Sequence, residues 1–126
     1  MRIQYSITMV WFALVFAQPV HAAVTGAEML SRCEAAQKSI EGASLTGAEM
    51  LDGMWCMGYM GGLLDGFGVG DFRIGNEKAV CPPRDGLTRE QALRSVTRWL
   101  RENPDALQKS GRRGAILALS RTYPCR

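Results

Sequence analysis

Apolar residues recur at helical spacing in four stretches of this chain. Between Thr25 and Ser39, Ala27, Leu30, Cys33 and Ala36 fall three or four residues apart and so share one face of a helix. Thr25 or Gly26 can cap it, and Glu28 suits the positive end of its dipole. After a Gly42-Ala43-Ser44 loop, a second helix is predicted from Thr46 to Phe67. Thr46 and Glu49 have capping-box spacing, and Met50, Leu51, Met54, Met57 and Met60 continue the apolar period toward an expected core. A third helix, from Leu87 to Glu102, opens on a Thr88 to Gln91 capping box, carries Ala92, Leu93, Val96, Trp99 and Leu100 on one face, and stops at Asn103-Pro104. A short turn is expected from Pro104 to Gln108. The fourth helix runs from Arg112 to Thr122, with apolar surface from Ile116 to Leu119. The stretch from Gly68 to Gly86 reads as a long loop, in which Pro82 and Pro83 force an extended backbone. The pattern predicts a small all-α, four-helix domain without repeats.

Gly58, Gly62 and Gly66 recur every four residues, along one face of the second helix. Each costs about 1 kcal/mol against alanine in a helix interior. The expected compensation is a tight helix crossing in the core, where small residues let backbones approach, favoured over a binding groove along the same face.

The first 22 residues stand apart from this pattern. Arg2 supplies a positive start, Met9 to Ala17 an apolar run, Gln18-Pro19 a break, and Val20-His21-Ala22 a small-residue cleavage site. That is the layout of a secretory signal peptide, and the apolar run falls short of the roughly 20 residues a membrane span needs. Cleavage leaves a single domain of about 104 residues, residues 23–126. Cys33, Cys56, Cys81 and Cys125 all lie in it, separated by 22, 24 and 43 residues, too far apart for a sequence-local metal knuckle. Four cysteines in an exported chain read as two disulfides, each worth about 3–4 kcal/mol in the chain-entropy model. The midpoint of Cys33 and Cys56 falls in the loop between the first two helices. An antiparallel pair folding there brings these cysteines together and leaves Cys81 to pair with Cys125.

Composition narrows the chemistry. His21, the one histidine, lies in the leader, so Ser-His, Cys-His and His-metal mechanisms have no residue to use. No cofactor or metal is called for. A carboxylate enzyme would have to rely on Asp52, Asp65 or Asp71, and nothing else in the sequence asks for one. Charge is segregated: residues 23–83 hold four basic and eight acidic residues, residues 84–126 ten basic and four acidic. Such a dipolar domain can steer a charged partner. Nucleic acid is a poor fit, since no aromatics alternate with the arginines. Arg94, Arg98, Arg101, Arg112 and Arg113 read as a basic face, either solvated or partner-binding.

Cys56-x-Gly58-Tyr59-x-Gly61 with Asp65, then Cys81-Pro82-Pro83, Thr88-x-x-Gln91, Trp99-Leu100-x-x-Asn103-Pro104, Ala118-Leu119 and Tyr123-Pro124-Cys125, taken in order over residues 28–126, resembles the Rap/Tai family of periplasmic type VI secretion immunity proteins. The resemblance implies a helical, non-enzymatic protein. It implies binding to a cognate secreted effector, typically a peptidoglycan amidase, and occlusion of its active site; members can dimerise. The matched positions look structural. The contact surface is therefore expected in the less patterned Gly68–Lys78 segment, where Asp71, Phe72, Arg73 and Asn76 can be presented, with Arg94, Arg98 and Arg101 as the second candidate. The competing reading is a periplasmic acid-stress chaperone, which the lack of histidine disfavours.

Overall fold

The computed structural model describes residues 23–69, 73–74 and 77–125. The proposed leader, residues 1–22, and the loop residues Asp71, Phe72 and Asn76 lie outside the described residues. Four helices dominate: α1 Gly26–Ile40, α2 Gly47–Val69, α3 Arg89–Glu102 and α4 Gly111–Thr122. A 3-10 turn, Pro104–Ala106, links α3 to α4. The expected loop after α2 contains a two-residue antiparallel pair, β1 Arg73–Ile74 with β2 Glu77–Lys78, in which Arg73 faces Lys78. Pairs this short carry almost no periodicity, so the pattern read them as loop.

The first three helices begin where their capping boxes put them. Glu28 N–H donates to Thr25 Oγ1 while Thr25 N–H donates to Glu28 Oε2 at 2.8 Å. Thr46 with Glu49, and Thr88 with Gln91, repeat the arrangement. α1 ends in a Schellman closure: Ala43 N–H donates to Lys38 O and Gly42 N–H to Ser39 O, with Gly42 at φ 81°, a conformation glycine adopts without strain.

The core gathers Met29 and Cys33 of α1, Cys56 and Met60 of α2, Leu93, Val96 and Leu100 of α3, and Ala115, Ala118 and Leu119 of α4, with Val80 from the connecting segment. Burying each of the larger side chains contributes about 1.5–3 kcal/mol. Two disulfides staple this core, Cys33–Cys56 between α1 and α2 and Cys81–Cys125 between the connecting segment and the C-terminus, the pairing expected from the layout. Backbone bonds add a third tie: Gly26 N–H donates to Lys109 O and Gly111 N–H to Val24 O, so the starts of α1 and α4 are stitched together. Cys81 N–H likewise donates to Tyr123 O. Among the described residues every buried side-chain nitrogen and oxygen has a hydrogen-bond partner; Thr97 Oγ1, buried on α3, donates to Leu93 O.

Two expected faces are partly rotated. In α1 Cys33 and Ala36 are buried as expected and Met29 joins them, while Ala27 is exposed and Leu30 half-buried. In α2 the residues expected to lead the core face lie outside: Met50, Leu51 and Met54 are 54%, 69% and 66% exposed. The buried face is Gly53, Cys56, Met60 and Gly61, so that of the expected methionines Met60 is the one enclosed. Its cause is covalent and steric. The Cys33–Cys56 bond fixes which side of α2 meets α1, and Gly53 is where the backbones touch, since a Cβ there would sit 3.2 Å from the N and Cα of Ala36. The glycine stripe is corrected with it. Among the described residues, a Cβ at Gly58, Gly62 or Gly66 would meet nothing within 4 Å, so these three glycines do not mark a crossing of the described helices.

Candidate functional site

α2 is apolar on nearly all sides, yet the domain covers only one of them. Residues Leu51, Met54, Trp55, Gly58, Gly62, Asp65 and Gly66 fall three and four apart along its other side, where Leu51, Met54, Gly58, Gly62 and Asp65 are exposed. A helix that is apolar all round is normally enclosed. Here the described residues leave much of the outer half uncovered, with Gly58 and Gly62 exposed and Gly66 half-buried along it.

A cluster of preorganised rings and charges borders these glycines. The Trp55 and Tyr59 rings, one helical turn apart, stack with centroids 5.1 Å apart and planes 19° from parallel. The Arg32 guanidinium of α1 lies 4.5 Å from the Trp55 centroid, and its Nε is 3.5 Å from Asp52 Oδ1. Stacking is worth about 0.5–1.5 kcal/mol and an exposed cation–π contact about 0.5–1 kcal/mol. Their main consequence is that three residues of the types that dominate protein-protein binding energy are already held in place. Burial pushes the Tyr59 phenol above its ordinary range, against the opposing pull of Arg112, so Tyr59 offers a neutral hydroxyl.

At the N-terminal end of the same helix an apolar hollow of about 190 Å³ opens between α1 and α2. Ile40, Leu45, Met50, Met54 and Met57 line it. Methionines adapt their shape to what they meet, which suits a surface that must fit a foreign side chain.

The residues singled out from sequence are dispersed. Arg94 and Arg98 are exposed on α3, but Arg101 is engaged, its Nε 2.9 Å from Glu34 Oε1 of α1. Of the loop candidates, the structure describes Arg73 alone, through its backbone in β1. Asp52 is committed to Arg32, and Asp65 is exposed on the open side of α2. Among the described residues no group of three or more Cys, Asp or Glu side chains is arranged to hold a metal, and no helix is long and apolar enough to cross a membrane. Sequence reasoning missed the Arg32–Trp55–Tyr59 cluster. The i, i+4 spacing of Trp55 and Tyr59 was the available signal.

A comparison with protein families matches residues 25–125 to the Rap1a immunity proteins. No curated protein and no solved structure matches the chain.

Proposed function

Given that this chain belongs to the Rap1a immunity protein family, we propose that it protects the cell that makes it by binding a toxin in the periplasm and occluding the toxin's active site. The toxin is a type VI effector that attacks the cell wall, a peptidoglycan amidase or similar hydrolase. The signal-peptide layout of residues 1–22 and the two disulfides support export to an oxidising compartment.

The observation that carries this reading is the uncovered outer side of α2. An apolar helical face, the glycines along it, and a stacked Trp55–Tyr59 pair under Arg32 make a rigid docking surface that the described fold does not use. Because disulfides and capping boxes fix the helix beforehand, little ordering entropy opposes binding. Asp71, Phe72, Arg73 and Asn76 of the connecting loop, together with Arg94 and Arg98, are secondary contacts under the same reading. A second copy of the chain is the competing occupant of α2.

The test is neutralisation. Secreted hydrolases encoded beside this gene are expressed in the periplasm with and without this protein, and growth is followed. Rescue by the wild type, and loss of rescue by a stably folded Trp55→Ala, Tyr59→Ala variant, is the expected result. Failure to rescue against every such hydrolase contradicts the proposal.

A further inference from the structure

A second cavity, of about 270 Å³, opens between the end of α3, the 3-10 turn and the start of α4. None of its lining residues belongs to α2, so it is separate from the docking surface described above. Its apolar wall is Trp99 and Leu117. Gly114 lies under this wall: a Cβ there would be 3.1 Å from Leu100 Cδ2, tighter than an ordinary contact, and 3.8 Å from Trp99 Cζ3. Its polar side carries Lys109 and Arg113, against one carboxylate, Asp105. Neither cation forms an ion pair among the described residues, whereas Arg32, Lys38 and Arg101 all do. Asn103 is fixed by donation from Nδ2 to Trp99 O at 2.8 Å. Ser110, also in the lining, makes no capping bond. The first turn of α4 holds Arg112 and Arg113 with no acidic residue, so an anion in the cavity relieves repulsion already present there.

We propose that this cavity is a pocket for an acidic side chain of the partner protein, a Glu or Asp carried on a loop next to an apolar residue. The carboxylate meets Lys109, Arg113 and the Ser110 hydroxyl, and the neighbouring apolar group lies on Trp99 and Leu117. Volume favours this occupant: the pocket is slightly smaller than the roughly 300–1,000 Å³ usual for small-molecule sites, and suits one or two side chains. Charge favours it too, with two free cations against one acid at the mouth. That the loop belongs to a toxin rests on the function proposed above; the pocket's preference for an acid does not.

The experiment has two arms. The processed, disulfide-bonded protein, isotope-labelled, is titrated with a short blocked peptide containing Leu-Glu-Leu and with its Leu-Gln-Leu counterpart, and NMR shifts are followed. Saturable shifts of the Trp99 indole and of the Ser110, Arg113 and Gly114 amides are expected with the glutamate peptide. Binding of the glutamine peptide is expected to be at least about tenfold weaker, and a Lys109→Glu, Arg113→Glu variant loses the preference. Equal response to both peptides, or shifts located elsewhere, overturns the pocket. In the second arm the same variant is tested for binding to a neutralised toxin. A drop of about tenfold or more with an unchanged melting temperature supports the toxin as the source of the acid, and unchanged affinity overturns that assignment. If the wild type itself binds no toxin, the proposed function fails while the peptide arm still decides the pocket.

Discussion

Replacing Gly58 and Gly62 together by alanine should make this protein more stable, although both positions lie in its most glycine-rich helix. In a helix interior each glycine costs about 1 kcal/mol relative to alanine, because its unfolded backbone has more freedom to lose. That gain is realised only where the new methyl meets no obstacle, and at both positions a Cβ has nothing within 4 Å among the described residues. The pair is therefore expected to add about 2 kcal/mol, or roughly 8–10 °C in melting temperature for a domain of this size. Gly53→Ala is the control. It receives the same helical gain, but its Cβ would lie 3.2 Å from the backbone N and Cα of Ala36, which cannot move without separating α1 from α2. Crowding of this kind costs about 1–3 kcal/mol, so the net change is a loss of up to about 2 kcal/mol. Thermal unfolding followed by circular dichroism, with disulfides intact, measures all three proteins. A stabilised Gly53→Ala beside a destabilised Gly58→Ala, Gly62→Ala would mean that α2 faces the other way, and the reasoning about its open side would fall.

Reductant should open Cys81–Cys125 before Cys33–Cys56. Cys125 is exposed and Cys81 half-buried, whereas Cys33 and Cys56 are fully enclosed; timed alkylation and mass mapping under dithiothreitol reads the order, and simultaneous loss contradicts it. Opening the outer loop, with its sequence separation of 44, removes about 4 kcal/mol of chain constraint. The Glu49 carboxyl is lowered to about 2 by the Thr46 backbone N–H, and further by Lys38 and the Thr46 hydroxyl. Its folded value lies below the unfolded one, so its stabilising effect is complete above about pH 4.5 and is lost as pH falls toward 2. Urea unfolding across that window should therefore show a shallower pH dependence in Glu49→Gln than in wild type, and identical slopes would remove Glu49 from the acid response. Trp55→Ala should leave the melting temperature within a few degrees, since the residue is only half-buried, but should weaken toxin binding by about 2 kcal/mol or more. Calorimetric affinity unchanged by that substitution would exclude the ring from the interface.

Local chemistry was the legible part of the sequence. Thr25, Thr46 and Thr88 each meet their Glu or Gln partner three residues on, so the helix starts could be placed to within one or two residues. The short Gly42–Leu45 loop fixed the pairing of Cys33 with Cys56, because an antiparallel turn there leaves those two residues abreast. Long-range orientation was less legible. Leu51, Met54, Cys56 and Met60 are all apolar, and periodicity cannot say which side of an all-round apolar helix faces inward. The answer came from Gly53 and Cys56, whose contacts lie on α1, more than 15 residues away in sequence. The core crossing favoured for the glycine stripe failed for the same reason. The stripe's regular spacing shows that a face exists, not whether this chain covers it. The Arg32–Trp55–Tyr59 cluster needs two helices to be assembled before it can be seen at all.

The most direct measurement is the affinity of the processed protein for the toxin it neutralises, compared with a Gly58→Arg, Gly62→Arg variant. Both substitutions project into open space, so the variant should keep the wild-type helical spectrum and melt no lower than the wild type. If the outer side of α2 docks the toxin, the dissociation constant rises by about a hundredfold or more, equivalent to roughly 2.7 kcal/mol. Wild-type affinity in the folded variant would show that the toxin binds elsewhere.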